Sequence, residues 1–270
     1  MFHLQRLPAA IVLGLSVWSA CLARAAEPSG SAEAAKPETP PADAAADADA
    51  KDEATGIVRM TKDYELWIDP KRKWVIVDGQ VCLREGLLEM FACPKGSKEH
   101  ESIVSVNCTA QFVHAALVAV GAEPGKPVSF DPTYRAATGP VVEIHVLWKD
   151  AAGSKHRVRA QEWIKELKAD KAMSQSWVFA GSSVWTDETT GKRYYQADGG
   201  DLICVSNFPT AMLDLPVASS QSNESLMFTA WTDRIPPLGT KVRLVLIPQV
   251  EKRGEVKRDP PGESAQSPVP

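Results

Sequence analysis

The sequence predicts an α+β fold, namely a single domain with a largely antiparallel or mixed β-sheet and two main helices. Several short stretches alternate apolar and polar residues and are joined by turns rich in Gly and Asp, as is typical of antiparallel strands. Two further stretches, residues 109–120 and 160–168, place apolar residues at helical spacing. Strands joined mostly by hairpins, with helices inserted between them, favour α+β over a doubly wound fold.

The N terminus has the layout of a secretory signal peptide over residues 1–25. A short region that carries Arg6 precedes an apolar run, and small residues lead to a cleavage site after Ala25. The alternative is lipoprotein processing, because Ser19-Ala20-Cys21 resembles the end of a lipobox. Either route predicts an exported protein, periplasmic or extracellular, with a membrane anchor only if Cys21 is lipidated.

The segments on either side of the domain are predicted to be disordered. Residues 26–55 form an acidic linker rich in Ala and Pro, and such a composition cannot bury enough apolar surface to offset the entropy of ordering. Residues 249–270 are likewise charged and rich in Pro. This leaves residues 56–248, which are enough to bury the core of one α+β domain.

The distribution of charge excludes one class of partner. The whole chain has a net charge of −4, while the linker alone holds eight acidic and two basic residues. The domain is therefore neutral overall, and it lacks the basic patch on which phosphate binding rests. We expect no nucleic-acid partner, and an envelope protein or a small ligand instead.

Individual strands are predicted from apolar residues at every second position. Residues 142–148 alternate in this way, a turn at residues 150–153 follows, and residues 155–159 complete an antiparallel hairpin. Residues 242–246 suit a strand that is covered on both faces. Two more hairpins are predicted, one from residues 74–83 and 87–93 and the other from residues 194–197 and 202–205.

The two predicted helices differ in environment. Residues 109–120 are apolar nearly all round, start at a candidate N-cap, Asn107 or Thr109, and end before Gly121, so we expect this helix to be buried. Residues 160–168 carry an apolar stripe beside charged residues, so we expect a helix that lies on the surface of the sheet.

Four cysteines lie within the predicted domain, namely Cys82, Cys93, Cys108 and Cys204. Disulfides form and persist in exported chains, and four cysteines allow three pairings. A Cys82–Cys93 disulfide is the first hypothesis, and the alternative is that all four are small buried apolar residues. Because no C-x-x-C spacing occurs, an iron–sulfur cluster is not supported.

The stretch FACPKGSKEHES, residues 91–102, and His114 of the first predicted helix contain the residues that best suit a metal site. Cys93, His100 and His114 would offer thiolate and imidazole ligands to zinc or copper. Glu99 or Glu101 would be a fourth ligand or would support one. The spacing matches no standard metal motif. The alternatives are a hydrogen-bonded core position for His114 and a solvent-exposed loop for His100.

Signatures of catalysis are weaker. The stretch Gly181-Ser182-Ser183 lacks the second glycine of the G-x-S-x-G motif. The Asp- and Gly-rich stretch at residues 198–201 is explained by turn chemistry. The two histidines of the first hairpin, His145 and His156, are explained by charge pairing between neighbouring strands. Whether the protein is an enzyme therefore stays open.

Five phrases occur in a fixed order, namely Gly96-Ser-Lys-Glu-His-Glu-Ser102, His114-Ala-Ala-Leu117 with the stretch up to Val128, Trp177-Val-Phe-Ala-Gly-Ser182, Tyr195-Gln-Ala-Asp198 and Gly239-Thr-Lys-Val-Arg-Leu-Val-Leu246. This arrangement resembles the YdjY-domain family of bacterial proteins over residues 57–248. The family is uncharacterised, so the resemblance implies little about activity. A ferredoxin-like label attached to some members is not transferred, because ligand-spaced cysteines are missing here. The resemblance singles out the KEHES loop, residues 98–102, and the HAAL helix, residues 114–117, as paired signatures that could form one site.

These observations lead to two functional hypotheses. The first is an exported cell-envelope domain of unknown activity that binds a ligand or a partner and is displayed on the acidic tether. The second is a metal-binding protein or metalloenzyme with a site at His100 and His114.

Overall fold

A computed structural model of the chain describes residues 56–219 and 227–250. The predicted signal peptide with Cys21, the predicted linker and residues 251–270 of the predicted tail lie outside the described residues. Within the described part, no helix has the length and apolar character needed to cross a membrane.

The fold is mostly β, so the prediction of an α+β domain with two main helices is wrong. The described residues contain one α-helix, α1, at Ala110–Ala119. Short 3-10 turns occur at Glu99–Glu101, Ala160–Trp163, Gln196–Gly199 and Thr232–Arg234. The strands in chain order are β1 Val58–Arg59, β2 Leu66–Asp69, β3 Trp74–Val81, β4 Leu87–Leu88, β5 Met90–Pro94, β6 Ser102–Val106, β7 Val141–Lys149, β8 Lys155–Arg159, β9 Ile164–Glu166, β10 Lys171–Ala172, β11 Trp177–Phe179, β12 Val184–Thr186, β13 Arg193–Tyr195, β14 Ile203–Cys204, β15 Leu213–Asp214, β16 Phe228–Ala230 and β17 Lys241–Pro248.

Eight of these strands form a closed barrel in the order β3, β17, β7, β11, β15, β14, β5 and β6, with β6 pairing back to β3. The β5–β6 and β14–β15 pairs are parallel, and the other pairs around the barrel are antiparallel. Closure satisfies the backbone groups that would otherwise lie at two sheet edges. β1 and β2 extend the sheet beyond β3, and among the described strands β8 pairs only with β7.

The longest pairings involve β17, whose prediction as a strand is confirmed. Residues 241–246 pair with β3, and residues 242–248 pair with β7. Val242 and Leu244 are buried, while Lys241 and Arg243 are exposed, so the first half of this strand is covered on one face only. That exposed half borders the concavity described below.

The helix at residues 109–120 is confirmed, whereas the helix at residues 160–168 is wrong. Helix α1 buries Val113 and Leu117 but exposes Phe112 and Val118, so it is amphipathic and not buried all round. Residues 160–163 form a 3-10 turn, and β9 follows at once, paired with β10 and β16. Residues i and i+3 share a face in a 3-10 turn, so a short turn followed by a strand also produces an apolar stripe that resembles a helix.

One of the three predicted hairpins is confirmed. β7 and β8 pair from His145–Arg159 to Lys149–Lys155. The hairpin of residues 74–83 with 87–93 is wrong, because β3 pairs with β2, β17 and β6. The hairpin of residues 194–197 with 202–205 is also wrong, since β13 pairs with β12 while β14 pairs with β5 and β15. Turn residues identify where a chain reverses, but they do not identify the strand with which each segment pairs.

The four cysteines of the domain are free thiols, and three of them are fully buried. Cys93 lies opposite Ser105 of β6, and the Cys82 amide donates to Ile103 of the same strand at 2.9 Å. β6 therefore separates Cys82 from Cys93. Two strand spacings of about 4.8 Å exceed the Cα separation that a disulfide bridges, so the predicted Cys82–Cys93 bond is not formed.

Gly79 lies where the barrel closes, and we predict that Gly79→Ala destabilises the domain. A Cβ atom at this position would come within 2.5 Å of the Ser105 carbonyl oxygen on β6. Overpacking of this kind costs about 1–3 kcal/mol of unfolding free energy, measured by urea denaturation. In the control variant Gly199→Ala the added Cβ meets nothing within 4 Å, so the unfolding free energy stays within about 0.5 kcal/mol of the original. Equal loss in the two variants would refute a steric constraint at the closure.

Candidate functional site

Residues 195–201, which we call the junction segment, contact both the HAAL helix and the KEHES loop. The Tyr195 hydroxyl lies 2.8 Å from His114 Nδ1 and donates to the Gly181 carbonyl at 3.0 Å. Since that hydroxyl proton is already used, Nδ1 of His114 carries the hydrogen between the two side chains. The His114 ring also packs edge-on against Phe179 at 4.9 Å. Burial lowers the pKa of His114, against a smaller opposing effect of the Gly181 carbonyl. His114 is therefore a neutral, hydrogen-bonded residue near pH 7.

The junction segment also caps helix α1. Asp198 Oδ1 accepts a hydrogen bond of 2.9 Å from the backbone amide of Gln111, in the first turn of the helix. Thr109 occupies the N-cap position but makes no side-chain cap hydrogen bond, so the cap is supplied by a distant part of the chain. Burial raises the pKa of Asp198, while the backbone hydrogen bonds from Gln111 and Ala110 act in the opposite direction. A carboxylate in this position also interacts favourably with the helix dipole.

Lys98 of the KEHES loop lies among three carboxylates. Its Nζ atom is 3.1 Å from Asp201, 3.6 Å from Glu101 and 3.8 Å from Glu89. It also lies 4.9 Å from the centre of the Phe208 ring. Burial disfavours the charge on Lys98, but the carboxylates, above all Asp201, outweigh burial and raise the pKa of Lys98. Burial and the neighbouring Glu101 raise the pKa of Glu89. The junction segment is thus held at its other end by an ion-pair cluster.

The least accessible acid of this region is Asp214 on β15, which is 0% exposed. Its Oδ1 atom accepts a hydrogen bond from the Leu215 amide at 2.8 Å, while Oδ2 has no hydrogen-bond partner among the described residues. Burial raises the pKa of Asp214 to about 8, and the nearby Asp201 adds to the effect. Sequence reasoning missed this residue. The available indication was an acid within the apolar run MLDLPV.

The structure distributes the predicted metal ligands over a turn, a strand and a helix. His100 is exposed in the 3-10 turn and lies 3.9 Å from Glu101. Cys93 is buried on β5, and Glu99 accepts a hydrogen bond from the Gly96 amide at 3.2 Å. No group of three or more His, Cys, Asp and Glu residues in the described part is placed to hold a metal ion. The metal site stays a prediction. It requires that the purified protein contain zinc or copper in a stoichiometric amount.

A wide concavity lies away from both signatures, at the start of β17 and the adjoining ends of β3, β7 and β8. It has a volume of about 1260 Å³ and is open to solvent on one side. We call it the groove. It is lined by Glu65, Asp78, Gly79, Leu147, Trp148, Lys149, Asp150, Ala151, Lys155, His156, Pro236, Pro237, Thr240, Lys241, Val242 and Arg243.

One wall of the groove is an ordered aromatic surface. The Trp148 and His156 rings stack with their centroids 4.9 Å apart and an interplanar angle of 15°. Asp150 holds His156 in this position through a contact of 2.7 Å to Nε2. The other oxygen of Asp150 accepts the amides of Ala152 and Ser154, each at 2.9 Å, so the hairpin turn orients the carboxylate. His156 was expected to pair with charges on the neighbouring strand, and its partner is instead this turn residue.

The charges of the groove are only partly neutralised by one another. Arg243 forms two parallel hydrogen bonds with Asp78, at 2.6 and 2.8 Å. Lys241 donates to the uncharged Gln80 at 3.2 Å. Lys149 and Lys155 form no ion pair among the described residues. The rim therefore carries an excess of positive charge, which net charge alone did not reveal.

Comparison with known proteins yields one match. A family model described as the YdjY domain matches residues 66–247, which is more than half of the chain. No curated protein and no solved structure matches the chain.

The burial of Asp214 predicts a specific pH dependence of stability. The pKa of Asp214 is about 8 in the folded protein and near 3.8 without burial. Between these values the folded state binds the extra proton, so stability present at low pH is lost as the pH rises towards 8. The variant Asp214→Asn cannot titrate, and we expect it to lose less unfolding free energy than the original between pH 5 and 8. The difference is at most about 1.4 kcal/mol for each pH unit.

Urea denaturation at several pH values measures this difference. The exposed residue Asp63 provides the matched control, because Asp63→Asn removes a carboxyl group without removing a buried one. Its pH profile should follow that of the original protein. Parallel profiles for all three proteins would mean that Asp214 is ionised in the folded state throughout this range.

Proposed function

The chain belongs to the YdjY domain family, and we propose that it is an exported module that binds a ligand or a partner in the cell envelope without catalysing a reaction. Export is supported by the N-terminal pattern of residues 1–25, with cleavage after Ala25 or lipidation at Cys21. The observation that carries the binding proposal is the groove, because ligand sites are concave, mostly apolar surfaces with a few placed polar groups.

The apolar part of the groove favours a ligand with a flat or apolar body. Trp148 and the His156 ring stacked on it line the groove as one aromatic surface. Pro236, Pro237 and Val242 also line the groove. Proline has a fixed φ angle, and Trp148 is packed against neighbouring rings, so little conformational freedom is lost when a ligand binds. Such a surface is ready for binding without rearrangement.

The polar part of the groove favours a ligand that carries negative charge. Lys149, Lys155 and Lys241 stand on the rim, against two acids, Glu65 and Asp150, that are not paired with a lysine or an arginine, so one positive charge is in excess. Ammonium groups on a rim attract an anion and raise its rate of association, and this effect weakens with salt. An apolar ligand body with a carboxylate or sulfonate group therefore fits the groove best.

The proposal assigns His156 and Asp150 to binding and not to proton transfer. The Asp150 carboxylate is saturated by the His156 ring and two backbone amides of its own turn. The ring face of His156 is taken by Trp148. Both interactions position the wall of the groove, and neither directs the histidine towards a nucleophile within the described residues.

We predict that naphthalenesulfonate binds in the groove and that Trp148→Ala weakens its binding. About 14 heavy atoms at about 0.3 kcal/mol each correspond to a Kd of about 1 mM. Loss of the aromatic face should raise the Kd about two- to tenfold. Shifts of the tryptophan indole resonances during an NMR titration report both the affinity and the location.

Two further variants make this test decisive. Trp185 is 52% exposed on the β12–β13 hairpin, outside the groove, so Trp185→Ala is the matched control and should leave the Kd unchanged. Lys149→Glu reverses a rim charge on an exposed residue, and it should weaken binding even if Trp148→Ala fails to fold. Equal affinity in the original protein, Trp148→Ala and Lys149→Glu would locate the probe elsewhere and remove the support for the groove.

The export part of the proposal predicts the mature N terminus. Protein recovered from the cell envelope should begin at Ala26, or at a lipidated Cys21 if the lipoprotein route is used. Intact-mass spectrometry distinguishes the two, and Cys21→Ser should change the product only in the second case. Recovery of the full-length chain from the cytoplasm alone would contradict export.

A further inference from the structure

The strands β3, β17, β7 and β8 lie side by side and have two unlike faces. Residues directly opposite each other on neighbouring strands project to the same face, and successive residues of one strand alternate between the two faces. Val77, Leu244 and Val146 lie opposite one another in this way, and all three are buried in the core. The residues that alternate with them therefore project outward, away from the core.

Every acid, lysine and arginine of these four strands projects outward, and we call the surface that they form the basic face. Leu147 lies directly opposite both Arg157 and Arg243, and Lys149 lies opposite Lys155. Six bases against two acids leave an excess of four positive charges on one side of a domain that is neutral overall. The bases are Lys149, Lys155, Arg157, Arg159, Lys241 and Arg243, and the acids are Asp78 and Glu143.

The basic face is poorly neutralised by its own acids. Asp78 is paired with Arg243, through hydrogen bonds of 2.6 and 2.8 Å. The other five bases form no ion pair among the described residues. Their field reaches the outward-facing His145 of β7, because burial and the charges of Arg157 and Arg159 lower the pKa of that histidine, despite a carboxylate 3.8 Å from its ring. An anion that covers this face therefore meets charges that the described part of the protein does not compensate.

We propose that the basic face docks on a lipid surface that carries negative charge. An anionic bilayer attracts lysine and arginine residues near its surface, and this attraction requires no matching shape. Arg157 and Arg159 are exposed and lie about 6.8 Å apart on the same side of β8. Guanidinium groups can form two parallel hydrogen bonds with one phosphate. The face thus offers both the charge and the hydrogen-bond donors that suit phosphate headgroups.

The composition of the basic face favours a lipid surface over a protein partner. The centre of a protein interface is depleted of charge and rich in aromatic residues. The outward positions of β17, β7 and β8 hold no Phe, Tyr or Trp. Their most exposed residues are instead lysines and arginines. A surface of this kind is suited to a broad field of negative charge and lacks the anchors of a specific protein contact.

The strength of the contact follows from the number of bases that reach the lipid. Each lysine or arginine near an anionic surface raises the affinity about fivefold. The five bases without an ion pair would together favour an anionic over a neutral bilayer by about a thousandfold. The attraction falls off within a Debye length of about 8 Å at physiological salt, so only bases at the contact contribute. Added salt should release the protein.

This inference rests neither on the groove nor on lipidation at Cys21. Lys149, Lys155 and Lys241 line the groove as well as the basic face, whereas Arg157 and Arg159 belong to the basic face alone. Changes at the two arginines therefore test the face without altering a residue that lines the groove.

Flotation of the purified full chain with lipid vesicles tests the proposal. The chain should bind vesicles of phosphatidylcholine and phosphatidylglycerol in equal parts more tightly than vesicles of phosphatidylcholine alone, which measure any contribution of the N-terminal residues. The double variant Arg157→Gln and Arg159→Gln should lose about 25-fold in affinity for the anionic vesicles. The matched control, Arg135→Gln with Arg193→Gln, removes the same charge from two exposed arginines outside the basic face and should bind as the original does.

Footprinting with an amine-reactive reagent locates the contact without any substitution. Anionic vesicles should protect Lys149, Lys155 and Lys241 from modification, as measured by mass spectrometry. Lys168 and Lys171 are exposed, outside the basic face and without an ion pair among the described residues, so their reactivity should not change.

Three results would overturn the proposal. The first is equal binding to anionic and neutral vesicles. The second is an equal loss of affinity in the two double variants, because the attraction would then belong to the charge of the whole molecule. The third is tighter binding to soluble polyglutamate than to anionic vesicles with the same amount of negative charge, which would identify an acidic protein as the partner. The naphthalenesulfonate titration contains no lipid, so failure here leaves the groove unaffected.

Discussion

The pairing of β6 with both β3 and β5 is the constraint on which the rest of the structure depends. Without it, the eight strands would form an open sheet with two long edges. β6 also determines where the two signatures lie, because the KEHES loop leads into its first residue and helix α1 begins shortly after its last. The loop and the helix are therefore at opposite ends of one short strand. They are related through this strand.

The junction segment makes that arrangement rigid from the other side. Asp198 caps α1, and Asp201 pairs with Lys98, so both ends of β6 are tied to residues about a hundred positions later in the chain. Buried charge is costly unless it is paired, and the three carboxylates around Lys98 provide that pairing. The two signatures thus have a structural role, because they hold the strand that closes the barrel. The surface best suited to a ligand is formed elsewhere.

Local periodicity was sufficient to predict β17, the β7–β8 hairpin and helix α1, because each is specified by its own residues. It failed where the partner is distant in sequence. The hairpin of residues 74–83 with 87–93 was wrong because β6 lies between β3 and β5 in the closed barrel, and that of residues 194–197 with 202–205 was wrong because β13 pairs with β12 in a separate sheet. Residues 160–168 were wrong because pairing with β16 overrides helical spacing. The groove could not be predicted, since it joins the ends of four strands. The zero net charge of the domain concealed the three bases on β8, Lys155, Arg157 and Arg159, because opposite charges cancel in a sum irrespective of their positions.

The two sides of β8 have separate consequences. His156 stacks on Trp148, so this side of the strand forms a wall of the groove. Arg157 and Arg159 lie on the other alternation, on the opposite face of the sheet, and do not line the groove. Lys155, at the start of the strand, belongs to both. A change at His156 therefore acts on the wall of the groove, whereas a change at Arg157 acts on the opposite face of the sheet.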